Sequence, residues 1–277
     1  MRIVSKLLVS NFIRLRCSLS FCLSLAFILV WNAFMLFSSY EVMTKYNEKL
    51  ALDGMLFSFL IIIGIILSVI ISLFIGTDYN DGTIRNKILV GHSRQHIYLS
   101  NFITCALVGV ILSVWGIIVN LAIGVPLFGT PEMALNGMTL LIADTLLVCI
   151  AYASVYNMIG MLCSSKSHTV MICILVSVVL LFASVYLYSS LSQPEIIDAA
   201  VSVNGNFSFE QMPNSMYLTG TKRQIYQFFM DFLPSGQCAQ IANLEILHPY
   251  RLGVYSIIII AVTNLFGLFV FNKKDIK

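Results

Sequence analysis

Charge is what this sequence has least of. Only 10% of its 277 residues are Asp, Glu, Lys or Arg while 58% are hydrophobic, against the roughly 25% charged residues of a soluble domain. So few charges cannot clothe a water-exposed surface, which excludes an ordinary soluble globular protein. Other absences narrow the chemistry. The seven cysteines contain no C-x-x-C spacing, which argues against a zinc or thiol-disulfide centre. No G-x-x-x-x-G-K-[ST] occurs, so the chain lacks the P-loop with which it would itself bind ATP. H-E-x-x-H, G-x-S-x-G and a paired intramembrane Glu signature are also missing, and a membrane protease or esterase would be without its catalytic residues. No catalytic, cofactor-binding or metal-ligating residue is therefore expected in this chain.

What is present is long and apolar. Charge-free runs cover Cys17 to Tyr40, Gly54 to Thr77, Gln95 to Pro131, Ser167 to Pro194 and Leu252 to Asn272, and between Glu132 and Lys166 only Asp144 interrupts a sixth. About 20 apolar residues cross a bilayer as a helix, and each run is long enough. Barrel strands are about 10 residues of alternating polarity, which these continuous runs are not. The sequence thus predicts an all-α polytopic membrane protein, one transmembrane domain over residues 1–277 with six transmembrane helices.

The distribution of basic residues sets the expected orientation. With the N-terminus inside, the segments 1–16, 78–94, the turn at Lys166 and 273–277 hold eleven of the sixteen Lys and Arg and only three acids, Asp78, Asp81 and Asp275. The outer segments hold five bases against nine acids. Both termini are therefore expected in the cytoplasm. The basic excess reads as topology and attraction to an anionic inner leaflet, with no nucleic-acid partner implied.

Along the chain, residues 1–16 predict an interfacial amphipathic helix, with Ile3, Val4, Leu7, Leu8, Phe12 and Leu15 on its apolar stripe and Arg2, Lys6, Asn11 and Arg14 off it. No A-x-A-like site follows the first apolar run, so an uncleaved first span is expected. Glu41 to Asp53 reads as a short outer loop. Between the second and third runs, Asp81 is a plausible N-cap, Ile84, Ile88 and Leu89 share a face, and Gly91 is a natural stop. This predicts a two-turn helix on the inner surface, with Arg85, Asn86 and Lys87 facing the cytosol or a partner and Ser93 capping the next helix. His92 and His96 have metal-like spacing, but at a helix start and without a third ligand they read as a solvated turn.

Gly124, Pro126, Gly129 and Pro131 mark an outer turn. The cysteines lie in or beside apolar runs except Cys238, and read as small apolar filler. The long outer segment 193–251 is punctuated by Asn204-Gly205, Pro213 and Pro234-Ser235-Gly236 and predicts short helices. Within it Ile225, Phe228, Phe229, Phe232 and Leu233 form an aromatic stripe that packs on the spans, dips into the outer leaflet or covers a cavity. Phe228, Phe229 and Phe232 are candidate substrate-path residues. Asp144 is another, as the one charge inside a span. Its closeness to the outer surface also allows it to snorkel out to the interface.

Gly76 to Asn101, G-T-D-Y-N-D-G-T-I-R-N-K-I-L-V-G-H-S-R-x-x-I-Y-L-S-N, resembles the first cytoplasmic loop of bacterial type-2 ABC-transporter permeases. The tail agrees in P-S-G-Q (Pro234 to Gln237), H-P-Y-R-L (His248 to Leu252), Tyr255-Ser256 and the closing F-x-K-K-D-I-K. Asp78 stands where that family's pattern has Glu. The resemblance implies a permease subunit in the bacterial plasma membrane, paired with a second permease copy or homologue and with separate cytosolic ABC ATPase subunits that hold the ATP and Mg. It implies that the ATPase-coupling residues are Asp78, Asp81, Gly82, Thr83, Ile84, Arg85, Asn86, Lys87, Ile88 and Gly91. In that picture Arg85 and Lys87 make polar contacts in an ATPase cleft and Ile84 and Ile88 anchor there. The expected activity is export of an amphipathic or apolar substrate, such as an antimicrobial peptide, drug or lipid-like compound. A reading from a different class is a non-transporting membrane sensor or scaffold whose inner helix recruits a cytosolic signalling protein.

Overall fold

The computed structural model describes residues 2–47, 49–203 and 206–275, with the side chains of 2–6 and 199–210 outside the description. Among the described residues the chain forms ten α-helices and one β-hairpin. They are α1 (Arg2–Arg16), α2 (Leu19–Tyr46), α3 (Leu60–Asn80), α4 (Thr83–Leu89), α5 (Arg94–Phe128), α6 (Leu135–Leu162), α7 (Lys166–Leu191), α8 (Gly220–Phe232), α9 (Pro234–Asn243) and α10 (Pro249–Lys273). Six of them, α2, α3 with the short 3-10 turn before it, α5, α6, α7 and α10, are long and apolar enough to cross a membrane. The expected all-α polytopic architecture is what the chain adopts.

One bundle is built around α3. Its apolar residues are buried on nearly every side, as Ile63, Leu67, Ile70, Ile71 and Ile75 show at 0–1% exposure. α6 and α7 pack along it, α5 and α10 pack on α6, and α2 lies against α5 at the edge. The edge position is visible in α2 itself. Only Ile28, Asn32 and Leu36, spaced by four, are buried, while Leu23, Phe27, Val30, Phe34 and Phe37 are exposed. A helix apolar all round with one buried stripe is suited to face lipid on the rest. Where α5 meets α6, a Cβ at Gly109 would lie 3.0 Å from the Cys149 carbonyl oxygen. Glycine there lets the two backbones touch.

Two local expectations are corrected. Gly124 and Pro126 do not turn the chain; they lie inside α5, which Gly129 ends at φ 88°. In an apolar surrounding the backbone keeps its internal hydrogen bonds for as long as the apolar run lasts. The outer loop expected from Glu41 is shorter, because α2 continues to Tyr46 and stops at left-handed Asn47. On the far side Asp53 Oδ2 accepts from the Glu132 and Met133 amides, at 2.9 and 3.2 Å, joining this loop to the α5–α6 turn.

The long segment between α7 and α10 is the other departure. Besides α8 and α9 it carries an antiparallel hairpin, β1 (Ile196–Val203) and β2 (Asn206–Pro213), paired from Ile196 with Pro213 to Val203 with Asn206. Its first strand is rich in β-branched residues and begins just after Pro194, a composition that favours a strand. The Asn204-Gly205 break falls outside the described residues, as do Ile276 and Lys277 of the tail. Cys238, placed by its sequence position in a polar loop, is buried at 2% on α9, so it does act as apolar filler.

Candidate functional site

At the end of the bundle that carries both termini, α3 runs out into Asp81 and Gly82 and the chain turns into α4. The first correction is the cap. Asp81 closes α3, its amide donating to the Thr77 carbonyl at 2.9 Å, and Gly82 opens α4 in the left-handed region at φ 65°. A side chain at that φ is strained, so glycine is what permits the abrupt turn. The expected stop is present in full. Gly91, at φ 95°, donates to Ile88 O, and His92 donates to Lys87 O, the two bonds of a Schellman ending. Ser93 then caps α5, its Oγ accepting from the His96 amide at 3.3 Å.

The residues of α4 divide differently from the expectation. Ile84 is 1% exposed and Ile88 packs against the same core. Ile84 is therefore an anchor within this chain and is not available to a partner. Lys87 is corrected too. Its ammonium turns inward to Asp78 Oδ2 and to Asn11 Oδ1, both at 3.4 Å, and its side chain is 12% exposed. Arg85 and Asn86 do face out, beside Asp81. Leu89, expected to share the buried face, is 75% exposed, and Val90 is 79% exposed. The outward surface is thus Arg85, Asn86, Leu89 and Val90, one cation beside two bare aliphatic side chains.

Asp78 holds this surface in place. It is fully buried, and it pairs with both Arg14 of α1 and Lys87 of α4. Arg14 also stacks over the Phe74 ring at 3.9 Å and donates to Phe74 O at 3.4 Å. Asn11, drawn from the sequence as an outward polar residue, is 1% exposed and donates to Asn101 Oδ1 at 3.0 Å and Thr104 Oγ1 at 3.3 Å. The buried stripe of α1 is consequently Leu7, Asn11 and Leu15, with Arg14 beside it, whereas Val9 and Ile13 are exposed. Burial lowers the Lys87 ammonium to about 8, Arg14 adding repulsion, and lowers the Arg14 guanidinium as well. Both cations are desolvated by more than their neighbours compensate.

A second tie lies alongside. Arg94 Nη1 donates to the carbonyls of Phe271, Asn272 and Lys274, which end α10. Lys274 Nζ donates to Tyr79 Oη and Met161 O, each at 3.1 Å, and Tyr79 Oη donates to Met161 O at 2.6 Å. Burial lowers Lys274 to about 8. α1, α3, α4, α5, α6 and α10 are therefore fastened together by side chains at this one end.

The candidate substrate-path residues lie elsewhere, at the hairpin end. Phe228 stacks on Phe232, and both meet Tyr255 of α10 edge-on at 5.9 and 5.7 Å. Phe228 and Phe229 remain 46% exposed. Asp144 is also close to α10, since a Cβ at Gly253 would lie 3.0 Å from its Oδ1. It does not snorkel: it is 4% exposed, and Oδ2 has no partner among the described residues. The Phe cluster and Asp144 thus share α10, and neither meets the Asp78 network. Among the described residues no group of three or more His, Cys, Asp and Glu is arranged to hold a metal ion.

The family model for ABC-2 family transporter proteins matches residues 32–271. The chain belongs to the ABC-2 transporter family. The match runs from within α2 to near the end of α10, and so takes in α4 and most of the membrane bundle. It makes this chain a multi-pass membrane permease subunit. α1, which supplies Arg14 and Asn11 to the network, precedes the matched stretch. No curated protein matches the chain.

Proposed function

We propose that this permease subunit works in an ATP-driven exporter, with separate ABC ATPase subunits docking on α4. The observation that carries this reading is the outward face of Arg85, Asn86, Leu89 and Val90 on a short helix whose other face is clamped to the bundle through Ile84, Ile88 and Lys87. A surface-exposed pair of aliphatic side chains beside a cation suits a protein cleft, and an immobile helix root passes displacement into the spans. An ATPase biases the membrane state only through contacts that differ between its own states. In this reading the termini face the cytoplasm of a bacterial cell, ATP and Mg belong to the partner, and a second permease copy or homologue completes the cavity. The substrate is amphipathic or apolar and moves outward. The half-exposed Phe228, which meets Tyr255, and its neighbour Phe229 support such a substrate.

The test replaces only the outward face. Arg85→Glu with Leu89→Asp is expected to reduce recovery of a Walker-A-bearing ATPase on co-purification by more than tenfold, while membrane insertion and the thermal midpoint stay near those of the parent. Normal ATPase recovery and normal export by this variant would overturn the docking assignment. Recovery of a signalling kinase in place of an ATPase would overturn the exporter reading itself in favour of a scaffold.

A further inference from the structure

Two cavities at the hairpin end share the side chain of Tyr188. The lower one, about 160 Å³, lies between α3, α7 and α9 and is walled largely by apolar side chains, among them Leu181, Val185 and Ala239. Ile61 and Val185 on its wall are 42% and 57% exposed on the bundle's apolar flank, so the cleft opens where acyl chains lie. The upper one, about 510 Å³, lies among the end of α7, α8 and α9, and Arg223, Gln227, Gln240 and Glu245 are among the residues that line it. Tyr188 is one turn from the end of α7, the depth at which an amphipathic tyrosine sits in the headgroup layer.

Two polar atoms among the residues lining the upper cavity, Arg223 Nη1 and Gln240 Oε1, have no partner among the described residues. Arg223 Nη2 donates to Leu191 O at 3.3 Å, while Nη1 is buried without a partner among the described residues. Gln240 is 2% exposed. Its amide nitrogen donates to Met230 O and to Asp231 Oδ1, each at 3.1 Å. Two acceptors claim that nitrogen, which fixes the amide orientation and leaves Oε1 as an acceptor without a donor. Glu245 lines the same cavity and forms no ion pair with Arg223 among the described residues. A guanidinium N–H lacking an acceptor and a buried carbonyl lacking a donor are each costly unless something completes them.

We propose that the two cavities, adjacent at Tyr188, together bind one phospholipid of the hairpin-end leaflet with a primary-ammonium, zwitterionic headgroup. A small rotation of the Arg223 guanidinium gives its free N–H to the phosphate, Gln240 Oε1 and the Glu245 carboxylate receive the ammonium, and one acyl chain enters the cleft between α3 and α7. An anionic headgroup leaves Glu245 opposed by like charge, and a quaternary ammonium has no N–H for Gln240. The cation, on α8, and the acceptors, on and just after α9, line one cavity and therefore select by headgroup. The site needs no ATPase and stands apart from the exporter reading.

The test uses the full chain in nanodiscs of phosphatidylcholine carrying a trace of phosphatidylethanolamine with a diazirine in its acyl chain. After photolysis, label is expected on the peptides containing Leu181, Val185 and Ala239. Arg223→Ala and Glu245→Gln are each expected to reduce that label roughly tenfold, the scale of one charge-assisted contact. Ala239→Phe, which fills the cleft with Arg223 intact, is expected to do the same and keeps the test decisive if the arginine variant does not fold. Equal labelling of parent and Arg223→Ala, or label spread evenly over α2 as well, would overturn the site. A phosphatidylglycerol probe that labels the cleft as heavily as phosphatidylethanolamine would overturn its headgroup choice.

Discussion

Asp78 and Asp144 are both buried carboxylates on long apolar helices, and the protein treats them in opposite ways. Asp78 is met by two cations from two other helices, and one of those cations is in turn bonded to Asn11. Asp144 faces the α10 backbone at Gly253, with one oxygen unsatisfied. A carboxylate out of water is tolerable when paired and hydrogen-bonded, and costly when it is not. The first acid is therefore a fastener, binding α1, α3 and α4 into one unit beneath the candidate docking surface. The second holds unspent interaction capacity in the half of the bundle that carries the aromatic stripe and the cavities.

The contrast can be broken most severely at Asp78. Asp78→Ala leaves the part-buried Arg14 and Lys87 without their counter-charge; removing one member of a fully buried pair costs about 3–5 kcal/mol, and solvent reaching Arg14 puts the loss toward the low end. Thermal unfolding of the detergent-solubilised protein should show the loss, and adding Arg14→Met should recover part of it because the orphaned charge is gone. An Asp78→Ala variant as stable as the parent would mean that the cluster fastens nothing.

A pH titration sharpens the same point with a smaller effect. The Lys87 ammonium sits at about 8 in the folded chain, below its ordinary 10.5, through burial first and Arg14 second. Between those values the unfolded chain binds more protons than the folded one, so the contribution of Lys87 to stability rises as pH climbs from about 8 to about 10.5. Lys274, also lowered to about 8 by burial, adds in the same direction. Comparing the thermal midpoint from pH 7.5 to pH 10 in the parent and in Lys87→Met should show a smaller rise in the variant. Identical slopes would place Lys87 in water.

The smallest effect on stability belongs to Asp144. Asp144→Asn removes a charge that has no counter-ion among the described residues, so the thermal midpoint is expected to stay level or rise slightly. Export by the same variant is the informative reading. If stability falls by as much as in Asp78→Ala, Asp144 has a partner after all and the two acids are alike.

Much of this was legible in the chain because it is written locally. Six apolar runs, the Gly91 stop and the Ser93 cap depend on residues within a few turns of one another, and the bilayer requirement for internal backbone hydrogen bonds leaves a continuous apolar run little choice but helix. The same reasoning overreached at Gly124 and Pro126, where turn-forming residues lie inside α5. It also missed the β1–β2 hairpin, whose pairing is a relation between two strands.

The direction in which α4 presents its side chains was legible for Ile84, Arg85, Asn86 and Ile88 but not for Lys87 and Leu89. Lys87 turns inward because Asp78 waits nine residues earlier in sequence and Asn11 comes from α1, 76 residues away. Asn11 itself is buried only because Asn101 and Thr104, 90 and 93 residues on, supply its partners. By itself the sequence determined that the chain is a helical membrane bundle with a short basic helix at the end bearing the termini, since length, hydropathy and capping are properties of contiguous residues. Only the tertiary structure decided that Lys87 is a fastener, that Leu89 and Val90 join Arg85 on the surface, and that Asp144 Oδ2 finds no partner among the described residues. Each of those depends on which charges from distant helices share a site with too little water to screen or solvate them.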